Sequence, residues 1–170
     1  MEKFTELAAG VVRKDRLMSD GRTIRYYDTH HQDRTCVDRR ELEDEATIGE
    51  LRLDPLVNEW VAVAAHRQGR IFLPPKELCP LCPTRGDLLT EIPESDFEVV
   101  IFDNRSPAFR SPGEGWTLPT MNGPGTDPGQ AAGKCEVVCF TSDHGQSFSD
   151  LSAGQVRILM EAWRDRTREL

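Results

Sequence analysis

The sequence predicts an α+β fold. Three observations carry that expectation: short runs with strand-like alternation or β-branched content, Gly, Pro and Asp turns between them, and one amphipathic helix at the end of the chain. Residues 13–20 and 22–28 flank an Asp20-Gly21 turn, and Thr23, Ile24, Arg25, Tyr26 and Tyr27 favour strand, so a hairpin is expected there. Residues 30–46 are mostly charged with few apolar anchors, which predicts a solvated connection with a short helical turn near 40–45. Residues 47–53 and 59–65 alternate as two further strands, joined through Asp54-Pro55-Leu56-Val57-Asn58. A long loop over 66–93 precedes a short buried strand at 97–102. A stretch over 111–133, dense in Gly and Pro, is expected to be mobile, and 136–141 is another apolar strand.

The final segment is the helix. Ser152-Ala153-Gly154-Gln155 fits a capping box, with Ser152 capping and Gln155 reaching back. Val156, Leu159, Met160, Trp163 and Leu170 then recur as one apolar stripe, expected to cover the strands. No Gly or Pro closes the pattern before Leu170, the expectation for a segment of a longer domain.

Composition bounds the function. A chain of 170 residues makes one domain and buries ~70% of the surface its unfolded form exposes. The net charge of −8 argues against a general nucleic-acid binder. No apolar run approaches the ~20 residues of a membrane span, and residues 1–10 lack a secretory cleavage pattern. Five cysteines, an odd number without framework spacing, fit a reducing cytoplasm. The excess of Arg over Lys reads as a bias of genomic composition, because the two differ chemically only where forked contacts matter.

The chemistry-bearing feature is Cys79-Pro80-Leu81-Cys82-Pro83, answered some sixty residues later by Cys139-Phe140-Thr141-Ser142-Asp143-His144. Two cysteines separated by two residues can turn both sulfurs toward one cation, and the prolines stiffen that turn. A redox pair needs a strand before it and a helix starting at the first thiol, and here prolines and loop surround it. Metal ligation is therefore favoured over a redox pair or two unrelated buried thiols. His144 reads equally as a ligand or as a surface turn residue. His30, His31 and His66 read as exposed or hydrogen-bonding, and Cys36 as a single thiol. Cys135 and Cys139 share one face of a strand, and core packing is favoured for them over a second ligand pair.

Leu53-Asp54-Pro55-Leu56, Glu59-Trp60-Val61 and Ala65-His66-Arg67-Gln68-Gly69-Arg70 resemble the opening of galactose-1-phosphate uridylyltransferases. So do Cys79-Pro80-Leu81-Cys82, Phe102-Asp103-Asn104-Arg105 and the block from Gly133-Lys134-Cys135 to Asp143-His144. The blocks keep the family's order over residues 20–170, about the N-terminal half of its length. The resemblance implies a histidine-triad-like fold, an antiparallel half-barrel sheet with packed helices, here incomplete. It implies a transferase of galactose metabolism that moves a uridylyl group from UDP-glucose to galactose 1-phosphate through a uridylyl-histidine, splitting one transfer into two displacements.

Residue by residue, the resemblance implies Cys79, Cys82 and His144 as ligands of a structural zinc. Asn104 is the ribose contact, and Arg105 stands where some members have Asp. Leu88 falls near the apolar contact to uracil. Arg67 and Arg70 match a basic loop that reaches a neighbouring subunit's phosphates in a homodimer. The family's His-Pro-His-x-Gln segment, with the nucleophile and the fourth zinc ligand, has no counterpart among the four histidines here. The expectation is thus an extension over 1–19 and an N-terminal domain over 20–170 that stops before the catalytic segment. Such a chain holds no catalytic residue of its own, and is expected to be either a truncated reading frame or one part of a split enzyme, as a homodimer or as the partner of a complementing C-terminal half. Two alternatives stay open: a nucleotide phosphorylase or adenylyltransferase relative, and a non-enzymatic zinc-stabilised interaction module closed by Cys135 or Cys139.

Overall fold

The structure, a computed structural model, describes residues 4–42, 49–67, 74–109, 129–130 and 132–170. The described strands are β1 (Phe4–Glu6), β2 (Val12–Leu17), β3 (Thr23–Asp28), β4 (Glu50–Asp54), β5 (Glu59–Val63), β6 (Val99–Asp103), β7 (Gly129–Gln130) and β8 (Glu136–Cys139), followed by one long helix, α1 (Ala153–Glu169). The chain divides into two compact units. Met1–Asp44, Leu73–Asp103 and Val137–Leu170 form the first; Glu45–Phe72 and Asn104–Glu136 form the second. No helix among the described residues is long and apolar enough to cross a membrane.

The first unit is built on a five-stranded sheet ordered β1-β2-β3-β6-β8. The pairs from β1 to β6 are antiparallel, and with α1 this is the expected α+β class. The β2–β3 hairpin forms where the Asp20-Gly21 signal placed it, with Arg13 opposite Tyr27. Gly21 sits at φ +81°, a conformation open to glycine at little cost, and Asp20 Oδ1 accepts from the Arg22 amide at 3.2 Å. β1 folds back onto β2, so Phe4–Glu6 and Val12–Leu17 pair into the sheet.

β3 and β6 are buried on both faces, and their alternation sorts the core in two. Tyr27, Val99 and Ile101 face Ile158, Leu159 and Ala162 of α1, with Val11 beside them. Ile24, Tyr26, Val100 and Phe102 pack on the opposite face with Met18, Ile92 and Phe97, joined by Val137 and Cys139 from β8. The first face is covered by a helix, the second by loop segments.

The capping box forms as read: the Gln155 amide donates to Ser152 Oγ at 3.2 Å and Ser152 N donates to Gln155 Oε1 at 3.1 Å. The stripe forms only in part, at Leu159. Ile158, Leu159, Ala162 and Arg166 are the buried positions of α1, while Met160, Trp163 and Leu170 are exposed. The helix is rotated because Asp165 docks on the sheet, accepting from Arg13 Nη1 at 2.7 Å and from the Tyr27 hydroxyl at 2.8 Å.

The charged segment after β3 is also different from its expectation. Arg34 is 2% exposed; its Nη2 and Nε donate to the two Asp28 oxygens at 2.5 and 3.1 Å, and its Nη1 to Asp96 O at 2.8 Å. Charge here ties loops to the sheet instead of solvating a linker. Residues 40–42 are irregular, and the rest of the expected helical turn lies outside the described residues, as does most of the stretch 111–133.

In the second unit, β4 pairs with both β5 and β7 in an antiparallel three-stranded sheet. Its β4–β5 turn places Asn58 at φ +55°, a conformation Asn tolerates better than most residues, and Asp54 Oδ1 accepts from the Leu56 amide at 2.9 Å.

Candidate functional site: a Cys-Cys-His centre

The loop before β6 is made of tight turns. A 3₁₀ turn at Lys76–Leu78 leads into Cys79, whose amide donates to Lys76 O at 3.5 Å. The Cys82 amide then donates to Cys79 O at 3.4 Å, closing the turn that sets the two thiols on one side. The chain passes through Pro83, makes a small excursion closed by Arg85 and Leu88, and returns alongside itself at Ile92. Three contacts fasten the return: Thr84 N to Ile92 O at 2.9 Å, Glu91 N to Pro80 O at 3.0 Å, and the Thr90 hydroxyl to Cys82 O at 2.6 Å.

His144 approaches from the turn after β8. Asp143 N donates to Thr141 Oγ1 at 3.1 Å, Gly145 N to Asp143 Oδ1 at 3.0 Å, and Gln146 N to Asp143 O at 3.3 Å. The turn aims the imidazole at the thiols. Cys82 Sγ lies 3.3 Å from His144 Nδ1, and the donor atoms of Cys79, Cys82 and His144 all lie within 4.8 Å of one another. Among the described residues this is the group of His, Cys, Asp and Glu side chains that can hold a metal ion.

The donor set fits one. Sulfur and imidazole at ordinary zinc bond lengths on a tetrahedron stand about 3.6 Å apart, close to the separation found. Both thiols are buried and His144 is exposed, so the imidazole is the solvent-facing member of the set. Burial, and then the neighbouring Cys79, push the Cys82 thiol above its ordinary value. Metal must therefore displace protons to bind, which makes affinity pH-dependent. Cys139 points into the same face of the sheet. Its thiol is pushed up to about 12, by burial first and then by Cys79 and Cys82. It packs against the second core cluster and stands outside the three-donor group.

The other sequence-singled residues are placed separately. Leu88 is exposed at the tip of the excursion, where Arg85 and Leu88 exchange backbone hydrogen bonds at 3.2 and 3.0 Å. In the second unit, Asn104 follows β6; its amide donates to Cys135 O at 2.9 Å, and its Oδ1 accepts from Ser106 N at 3.0 Å. Arg105 is half-buried and Arg67 exposed, whereas Arg70 lies outside the described residues. His30 and His31 are exposed, and His31 pairs with Glu6 at 2.8 Å. Thr90 and Glu91 escaped the sequence reading because no spacing rule marks a residue that grips a loop's own backbone.

The family described as galactose-1-phosphate uridyl transferase, N-terminal domain, matches residues 39–170. The chain belongs to that family. Among curated relatives, a galactose-1-phosphate uridylyltransferase of Streptomyces lividans is 41% identical over 155 residues, covering 90% of this chain and 38% of the relative. That of Thermotoga maritima is 40% identical over 123 residues, 71% of this chain and 36% of the relative. The Rattus norvegicus enzyme is 29% identical over 138 residues, 71% and 34% respectively. The chain thus spans a little over a third of the length of these uridylyltransferases. No solved structure matches it significantly. The Cys-Cys-His group falls wholly inside the stretch matched to the family.

Proposed function

We propose that the chain is the N-terminal part of a hexose-1-phosphate uridylyltransferase that transfers a uridylyl group from UDP-glucose to galactose 1-phosphate, releasing glucose 1-phosphate and UDP-galactose. The observation that carries this reading is the convergence of Cys79, Cys82 and His144 within a stretch matched to that family. On this reading the fold is histidine-triad-like, and the N-terminal domain of residues 20–170 takes β1 and β2 of residues 1–19 into its sheet.

Cys79, Cys82 and His144 would hold zinc, as two thiols and an imidazole suit a borderline-soft cation. Bound zinc supplies a cross-link between the loop and the turn after β8, with no part in polarising substrate. Asn104 addresses the ribose. Its Oδ1 accepts from Ser106 N, which orients the amide so that Nδ2 can donate to a hydroxyl oxygen. Leu88 offers uracil an apolar side chain. Arg67, Arg70 and Arg105 supply cationic donors for phosphate oxygens, where forked contacts suit the geometry. The homodimer and the cytoplasmic setting belong to the same proposal; all five cysteines are unbridged, as a reducing compartment requires.

The chain has histidines at 30, 31, 66 and 144 and no His-Pro-His, so on this reading the nucleophile lies outside these 170 residues. The test mixes this chain with the C-terminal half of a uridylyltransferase and measures glucose 1-phosphate released from UDP-glucose and galactose 1-phosphate. No turnover alone and turnover on mixing are expected. Turnover by the chain alone, or consumption of an adenine nucleotide in preference to UDP-glucose, would overturn the proposal.

A further inference from the structure

The Cys79–Cys82 turn is gripped from beneath by the three residues that return to it. Thr90 is 3% exposed. Its Oγ1 lies 2.6 Å from Cys82 O and accepts from Ile92 N at 3.2 Å, while Thr90 N donates to Thr84 Oγ1 at 3.2 Å. A hydroxyl carries one proton and accepting lone pairs. Here the short contact directs that proton to the carbonyl of a ligand residue, and the lone pairs hold the return strand.

Glu91 fixes the same turn to the sheet. Its amide donates to Pro80 O at 3.0 Å, inside the Cys-Pro-Leu-Cys turn itself. Its carboxylate is held from two sides: Arg22 Nη2 donates to Oε2 at 2.7 Å and Arg40 Nη1 to Oε1 at 2.7 Å. Arg22 belongs to the β2–β3 turn, where its Nε donates to Asp20 Oδ2 at 2.6 Å. Arg40 is fixed by Asp38, both of whose oxygens accept from it at 2.8 Å. The carboxylate is 13% exposed, as is Arg22, and Arg40 is 11% exposed. A partly buried carboxylate held between two guanidiniums is a rigid peg, because losing either contact leaves its charge less compensated.

We propose that Thr90 and Glu91 are positioning residues for metal binding: they hold the turn so that the Cys79 and Cys82 sulfurs already face His144. The inference rests on the metal reading above and adds the residues that tune its affinity. Neither side chain is a ligand. Both act through the backbone of Pro80 and Cys82, so they set how much ordering the metal itself must impose. Outer contacts of this kind are typically worth ~10–100-fold in metal affinity.

The experiment measures zinc affinity of the full chain by competition with a chromophoric chelator, together with the visible spectrum of the cobalt(II) form, which reports tetrahedral thiolate ligation. Thr90→Val keeps shape and burial while removing the hydroxyl, and Glu91→Gln keeps shape while removing the charge. Each is expected to weaken zinc binding by about tenfold or more and to broaden or shift the cobalt bands. Thr90→Ser, which retains the hydroxyl, is expected to restore affinity to within about threefold of the parent.

Asp165→Asn serves as the stability control, since it loosens α1 on the opposite face and is expected to leave zinc affinity unchanged. Unchanged affinity in Thr90→Val and Glu91→Gln overturns the proposal while leaving the metal reading intact. An equal loss in Asp165→Asn overturns it too, because the effect is then general destabilisation. Failure of the parent chain to bind zinc removes the metal reading and the proposal together. Should Thr90→Val not fold, Thr84→Val probes the same clasp by the same two readouts.

Discussion

The two faces of the five-stranded sheet are covered by different means. On one, α1 buries Ile158, Leu159 and Ala162 against Tyr27, Val99 and Ile101, and Asp165 and Glu169 anchor it to the sheet through Arg13, Asp165 also through Tyr27. On the other, irregular segments lie over Tyr26, Val100 and Phe102, held at Arg34, Glu91 and the Cys-Cys-His group. A helix satisfies its own backbone and can be held by apolar area. A loop must find a partner for each buried polar group, so polar and ionic contacts become its fasteners. The metal-ready side of the protein is the side that depends on them.

The largest test of that contrast is Arg34→Ala. It strands Asp28 and releases the Asp96 loop, with an expected cost of ~4 kcal/mol by urea denaturation. A cost below ~1 kcal/mol would mean the loop face is held by apolar contact after all. On the helix face, Leu159→Ala leaves a cavity at a fully buried position and is expected to cost ~3 kcal/mol. Hydrogen exchange sharpens the comparison: Leu159→Ala should speed exchange in α1 well before it does so at the Thr84, Glu91 and Ile92 amides.

Acid probes the fasteners of the loop face. Asp38, beside Arg40, has its carboxyl shifted below the ordinary value: burial opposes the charge, but hydrogen bonds from Arg40 and from Ser19 N outweigh it. A depressed carboxylate contributes stability that is full above the unfolded value near 3.8 and is lost as pH falls through the lower folded one. Asp38→Asn should flatten the loss of stability below about pH 4, read by thermal melts across the acid range. A parallel slope in parent and variant would remove Asp38 from the fasteners. The smallest effect is expected in the second unit. Arg52 and Glu50 pair on the surface, and Arg52→Ala should change stability by less than ~0.5 kcal/mol.

Legibility in the sequence followed the same division. The β2–β3 and β4–β5 hairpins, β6, β8 and the Ser152 capping box were readable because each has a local signature, a turn dipeptide, an alternation or a cap. The stripe on α1 was misphased: apolar size favoured Met160 and Trp163, whereas the Arg13–Asp165–Tyr27 contact rotates Ala162 and Arg166 inward. The charged run around Arg34 reads as solvated because its partners, Asp28 and Asp96, come together only in the fold. At the site, Cys79 and Cys82 were legible from a spacing that geometry requires, and His144 only jointly with its block. Thr90 and Glu91 act through backbone carbonyls, which are identical at every residue and leave no trace in composition.

The most direct measurement is X-ray absorption at the zinc edge on the zinc-loaded chain. Two sulfurs at about 2.3 Å and an imidazole nitrogen at about 2.0 Å are the expected shell, with one sulfur lost in Cys82→Ser. A shell of oxygen and nitrogen alone, or no zinc retained by the folded chain, would contradict the assignment of Cys79, Cys82 and His144 to one metal.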